Sequence, residues 1–125
     1  MADELSPAMQ QYLETIYDLS QEVSNPGVAD IALAMNISKA GVSQALDMLK
    51  ALGLIAHPRY GKVFLTRKGK STAKKIRLKH DALKFFFHQI LGVDSSIAEM
   101  DACKIEHIIS SETFEKLLLF LNDSQ

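Results

Sequence analysis

VADIALAMNISKAGVSQALDMLKALGL, residues 28–54, breaks into two short apolar-periodic segments that meet at an Asn-Ile-Ser corner. Ile31, Ala32 and Met35 recur at helical spacing before the corner, and Val42, Ala45, Leu46 and Leu49 after it. Spacings of three and four put each set on one helical face. Asn36 stands where the chain must turn sharply, and asparagine accepts left-handed backbone angles more readily than most residues. Ser38 offers a hydroxyl to cap the second helix, and small Ala32 lets the two helices cross closely. This is the pattern of a helix-turn-helix.

With the apolar set of the second helix turned inward, Lys39, Ala40, Ser43, Gln44 and Asp47 point outward, most of them in its first two turns. Those are the turns of a recognition helix that meet base edges in the major groove. Gln44 suits adenine, and Ser38 and Ser43 suit bases or phosphate. An ordinary helical hairpin with a solvated polar face reads the same, so the residues that follow matter. Ile55 to His57 and Lys62 to Leu65 read as two short strands, with Gly61 available for a tight hairpin between them. A helix-turn-helix followed by such a hairpin is a winged helix. Arg59, Lys62, Arg67 and Lys68 gather at and just beyond the wing, where they can hold a phosphate backbone. A charge cluster is more often a solvated face; its place beside a recognition helix favours double-stranded DNA.

The charge distribution agrees. The chain has 125 residues and a net charge of -1, yet 12 of its 14 Lys and Arg lie between Lys39 and Lys84, where Asp47 and Asp81 are the only acids. A cationic middle between acidic flanks suits a protein that touches phosphate with one face. Cys103 is the single cysteine, which excludes an internal disulfide. MADELSP at the start has neither the basic nor the apolar region of a signal peptide, and no apolar run approaches the ~18 residues that span a membrane. A cytoplasmic protein without membrane contact is expected.

Ser6-Pro7 opens a first helix with the apolar stripe Met9, Tyr12, Leu13, Ile16 and Leu19, leaving Gln11, Glu14 and Asp18 on another face. It fades before the turn Ser24-Asn25-Pro26-Gly27. Thr66 can cap a long helix to about Leu91, closed by Gly92, whose first half is basic and second half apolar. Asp94 and Ser95 open a helix containing DACKIEHIIS, and a last helix starts near Ser111. Phe114, Leu117, Leu118 and Leu121 form one stripe of that helix, with Leu119 and Phe120 off it. One intramolecular contact cannot cover both, so a twofold homodimer is expected. The fold class is therefore mostly α with a small β-hairpin wing. A winged helix-turn-helix over residues 1–72 precedes a helical metal-binding and dimerisation domain over residues 73–125.

Cys103, Glu106 and His107 stand at i, i+3 and i+4, hence on one helical face. Thiolate, carboxylate and imidazole are all metal ligands. Singly, each has a plain packing or surface explanation, and His80 alone reads as a core or interface histidine. Gln11, Glu14 and His80 supply the donors that such a site would still lack. HExxH is absent, and neither a nucleophile–base pair nor a phosphate-cradling glycine loop appears, so neither an enzyme nor a small organic substrate is expected.

QQYLETIYDLS, VADIALAMNISKAGVSQAL, YGKVFLTRKGKSTAKKI and DACKIEHIIS, in order and spanning nearly the whole chain, resemble the DtxR/MntR family of metal-dependent bacterial repressors. The resemblance implies the short MntR-like architecture without an SH3-like domain, and a metal corepressor bridging the two halves to control metal-uptake genes. It also implies ligands. His80, Glu106 and His107 match ligand positions directly, and Glu14 matches the manganese-type glutamate. Gln11 stands where manganese-type members have aspartate and diphtheria-type members methionine, and it coordinates directly or through water. Cys103 resembles the diphtheria-type cysteine, and Lys84 replaces a diphtheria-type glutamate ligand. A thiolate moves preference from Mn(II) toward Fe(II), so Fe2+ is favoured over Mn2+, at one or two ions per subunit. The rival reading is a metal-independent winged-helix regulator with the same DNA-binding half.

Overall fold

The computed structural model describes residues 5–23, 26–57 and 61–123. Its elements are α1 (Pro7–Glu22), α2 (Val28–Met35), α3 (Lys39–Ala51), β1 (Ile55–Ala56), β2 (Phe64–Leu65), α4 (Arg67–Phe85), a π-helical turn (Phe86–Ile90), α5 (Ser95–Ile105) and α6 (Ser111–Asp123). The mostly helical class with a small hairpin is as expected. Two compact units divide between Lys74 and Lys75, inside α4.

In the first unit, α1, α2 and α3 pack on one another and α3 packs on β1. Leu13 and Ile16 from α1, Ile31 from α2, and Val42, Leu46 and Leu49 from α3 are fully buried. Each such side chain contributes about 1.5–3 kcal/mol on leaving water. The helix ends follow local chemistry. Met9 N–H donates to Ser6 Oγ at 3.2 Å, with Pro7 in the first turn. Gly27 N–H donates to Asp30 Oδ2 at 2.8 Å, and Gly41 N–H to Ser38 Oγ at 3.1 Å. Asn36 takes the left-handed conformation at φ 56° and closes α2, which is what turns the chain into α3.

β1 and β2 pair antiparallel, Ile55 opposite Leu65 and Ala56 opposite Phe64. Both strands are shorter than their alternation suggests. Val63 N–H donates at 2.7 Å to the carbonyl of Pro26, not to a ladder partner, so pairing stops there. The Ser24-Asn25 part of the first turn, and Arg59 and Tyr60 of the wing, lie outside the described residues. Thr66 joins the wing to α4: its N–H donates to the Leu54 carbonyl at 3.1 Å, its hydroxyl to the Gly53 carbonyl at 2.7 Å, and its Oγ1 accepts from Gly69 N–H at 3.0 Å. Gly69 is buried there; a Cβ on it would lie 2.0 Å from the Leu54 carbonyl oxygen. Only glycine allows that approach.

In the second unit the long helix does not run as α-helix to Leu91. It gives way after Phe85 to the π turn, where Leu91 N–H reaches back five residues to the Phe86 carbonyl at 3.0 Å. Gly92 follows at φ 78°, and Val93 N–H donates to the Phe87 carbonyl at 2.9 Å. Phe86 meets Phe120 edge-on at 6.0 Å, and Lys79 Nζ sits 5.4 Å from the Phe114 ring centroid. Ile76, Leu83, Ala98, Ala102 and Leu121 are buried, whereas Ile97, Met100, Ile108, Leu119 and Phe120 are exposed. Among the described residues no helix is long and apolar enough to cross a membrane.

Candidate metal centre and recognition face

The second unit gathers its titratable groups around Glu106. α5 ends at Ile105, so Glu106 and His107 do not lie inside the helix as expected; they form the turn that closes it. Glu106 keeps helical angles, with its N–H on the Ala102 carbonyl at 2.9 Å. The side chains at 103, 106 and 107 therefore still leave the backbone in helical sequence. Glu106 is 1% exposed. Its Oε1 lies 3.1 Å from His80 Nδ1 on α4 and 3.7 Å from His107 Nε2. Burying a carboxylate costs several kcal/mol unless cations or donors face it, and two imidazoles do so here. Burial, then the charges of Lys79 and His80, hold the His107 imidazole below its ordinary pKa. Its neutral form, the one that coordinates metal, is favoured. Cys103 is exposed on α5. In the first unit, Glu14 is buried on α1 and Gln11 is exposed.

Carboxylate oxygen and imidazole nitrogen converging on a buried position form a donor set that suits Mn(II), Fe(II) or Zn(II). Glu106, His80 and His107 thus fit a divalent ion within the second unit alone.

Glu99 was not among the residues expected to matter. Its Oε2 lies 2.6 Å from His80 Nε2 and its Oε1 3.1 Å from Lys84 Nζ. Burial would raise the Glu99 carboxyl, but the Lys84 hydrogen bond and the charges of His80 and Lys84 outweigh it and hold the pKa below the usual value. The spacing 99, 103, 106 on α5 and 80, 84 on α4 was the available signal.

On the first unit, Ser38, Lys39, Ala40, Ser43, Gln44 and Asp47 are all exposed along one side of α3, and Lys62 and Arg67 are exposed at the wing. Lys68, beside them in sequence, donates from Nζ to the Leu52 carbonyl at 3.1 Å, where it caps the end of α3. Arg59 lies outside the described residues.

Comparison with known proteins extends these observations over the whole chain. Two family models match, "iron dependent repressor, N-terminal DNA binding domain" over residues 4–63 and "iron dependent repressor, metal binding and dimerisation domain" over residues 66–125. An uncharacterised HTH-type transcriptional regulator of Methanocaldococcus jannaschii is 36% identical over 94% of this chain and 94% of its own length. The transcriptional regulator MntR of Escherichia coli is 36% identical over 87% of this chain and 70% of its own. Among solved structures, the manganese regulator SloR superposes with a TM-score of 0.77 at 28% identity, over 94% of this chain and 55% of its own. The chain thus spans little more than half of that longer regulator.

Proposed function

Since the chain belongs to the iron-dependent repressor family of DtxR/MntR regulators, we propose that it represses metal-uptake genes by binding operator DNA as a homodimer when Fe(II) or Mn(II) is bound. The observation that carries this reading is the buried Glu106 carboxylate faced by His80 and His107 in a chain that also presents an exposed recognition face. His80, Glu106 and His107 would hold the ion, with Cys103, Glu14 and Gln11 as further donors. When bound, the ion supplies a restraint between the ligand on α1 and those of the second unit, and so couples metal affinity to DNA affinity.

The residues of the chain divide the remaining work. Ser43 and Gln44 read base edges from α3, while Ser38, Lys39, Arg59, Lys62 and Arg67 hold phosphates on either side. Ala40, without a long side chain, lets the start of α3 approach the groove. Ile97, Met100, Leu119 and Phe120, exposed in the second unit, supply apolar surface for a twofold partner. Two recognition helices then meet half-sites ~34 Å apart. A cytoplasmic location follows from that task. Between the two ions, a coordinating Cys103 thiolate favours Fe(II), whereas oxygen and nitrogen donors alone suit Mn(II). One ion per subunit is the minimum that this donor set requires.

The test is an anaerobic titration of Fe(II) and Mn(II) into the full chain with DNA from upstream of its own gene, read as DNA affinity and reversed by chelator. Metal-dependent tightening that is lost in His107→Ala supports the reading. A parallel Cys103→Ser titration ranks the ions, because a coordinating thiolate makes Fe(II) the one that loses more. Equal DNA affinity with and without metal would leave a metal-independent winged-helix regulator.

A further inference from the structure

A histidine that ligates a metal must offer one ring nitrogen bare, so its proton must be held on the other. His80 is 3% exposed, and both its nitrogens face carboxylates. Nε2 lies 2.6 Å from Glu99 Oε2, the shorter contact, and Nδ1 lies 3.1 Å from Glu106 Oε1. The two carboxylates are not equivalent. Glu106 is buried beside His107, whereas the Glu99 side chain is about half exposed and its other oxygen is held 3.1 Å from the Lys84 ammonium. His80 and Lys84 are one helical turn apart on α4, so Glu99, reaching from α5, is clasped by both at once. We infer that Glu99, anchored by Lys84, is a positioning residue that holds the proton of His80 on Nε2 and presents Nδ1 to the ion beside Glu106.

The arrangement also argues that Glu99 is not itself a ligand. A metal on Glu99 would have to share that carboxylate with a lysine ammonium already on it, and the two cations repel. Lys84 thus acts as a tethered cation that orients Glu99 and keeps it out of the coordination sphere. This inference rests on the reading of His80 as a ligand, and its test separates the two.

Two measurements on the full chain are needed: Mn(II) affinity by calorimetry, and the protonation pattern of the His80 imidazole by nitrogen NMR, metal-free and with diamagnetic Zn(II). The variants are Glu99→Ala, Glu99→Gln, Lys84→Met and His80→Ala. Loss of an orienting partner of a ligand histidine costs about 10–100-fold in metal affinity. Glu99→Ala is expected to show that loss together with loss of the Nε2–H signature. Glu99→Gln, whose amide oxygen still accepts from Nε2, recovers most of both, and Lys84→Met falls between. An unchanged His80 signature in Glu99→Ala overturns the inference even if metal binding stands. A change in that signature with no Mn(II) binding in the unsubstituted protein leaves Glu99 orienting His80 but sinks the corepressor reading. Glu99→Gln losing metal as completely as Glu99→Ala would make Glu99 a ligand and overturn its positioning role.

Discussion

Substituting Gly69 by alanine sets two structural effects against each other with a clear winner. Helix propensity alone favours alanine by about 1 kcal/mol. Against that, the new methyl would lie 2.0 Å from the Leu54 carbonyl oxygen, 3.0 Å from its carbon and 3.3 Å from Leu65 Cδ2. A carbon and an oxygen in ordinary contact sit roughly 3.3 Å apart, so the first turn of α4 must retreat by more than about 1 Å. Both sides of the clash are backbone, and neither can rotate away. Retreat also strains the Thr66 N–H bond to that same Leu54 carbonyl and the Thr66 hydroxyl bond to Gly53. Overpacking of this kind costs about 1–3 kcal/mol, and losing one of the two bonds about 1 kcal/mol more. After the propensity gain, a net destabilisation of about 1–3 kcal/mol is expected. Urea unfolding followed by helix circular dichroism measures it, with Lys70→Ala on the exposed face as a control expected within ±0.5 kcal/mol, as is usual for surface sites. A Gly69→Ala protein as stable as the control would show that the wing and α4 do not depend on this close approach.

Asn36→Val should lose about 1–2 kcal/mol, since a β-branched residue is disfavoured at φ 56°; Asn36→Gly should be tolerated, and the same unfolding assay compares them. Asp94 caps α5, and the hydroxyl and N–H of Ser96, followed by the Ile97 N–H and His88, hold its carboxyl below the ordinary 3.8 against a small opposing effect of burial. A lowered folded pKa means stability fully present above the unfolded value and lost as pH falls through the folded one. The stability gap between the natural protein and Asp94→Asn, measured from about pH 6 down to pH 3, should therefore stay flat and then shrink only below roughly pH 4; a gap that widens in acid would contradict this. Chelation should lower the urea midpoint, because an ion at about 100 times its dissociation constant stabilises by about 2.7 kcal/mol. Glu106→Gln should erase most of that difference.

The helix-turn-helix was legible because its determinants are local: apolar spacing on α2 and α3, an asparagine able to turn left-handed, and serine caps at 6 and 38. The wing was legible in kind but not in length, since Val63 gives its N–H to Pro26 far away in sequence. The end of the long helix was misjudged for a different reason. Gly92 marks the stop, but no local pattern separates an α from a π turn across three consecutive phenylalanines. At the site, residues at helical spacing were found by pattern, as Glu106 and His107 show, although the helix itself stops one residue earlier. Glu99 escaped because its meaning depends on Lys84 and His80 reaching it from another helix, which no periodicity along α5 reveals.

The π turn at Phe86–Ile90 can be viewed as one residue too many in an otherwise regular helix. Each residue of an α-helix rotates the chain by about 100°. Deleting one residue within 86–90 would heal the helix yet swing Ile90, Leu91 and the approach to α5 by roughly that angle. Length itself is therefore constrained here. Substitutions that keep five residues in the turn preserve the heading of the chain into α5, whereas a single codon lost or gained redirects it, whatever side chains remain.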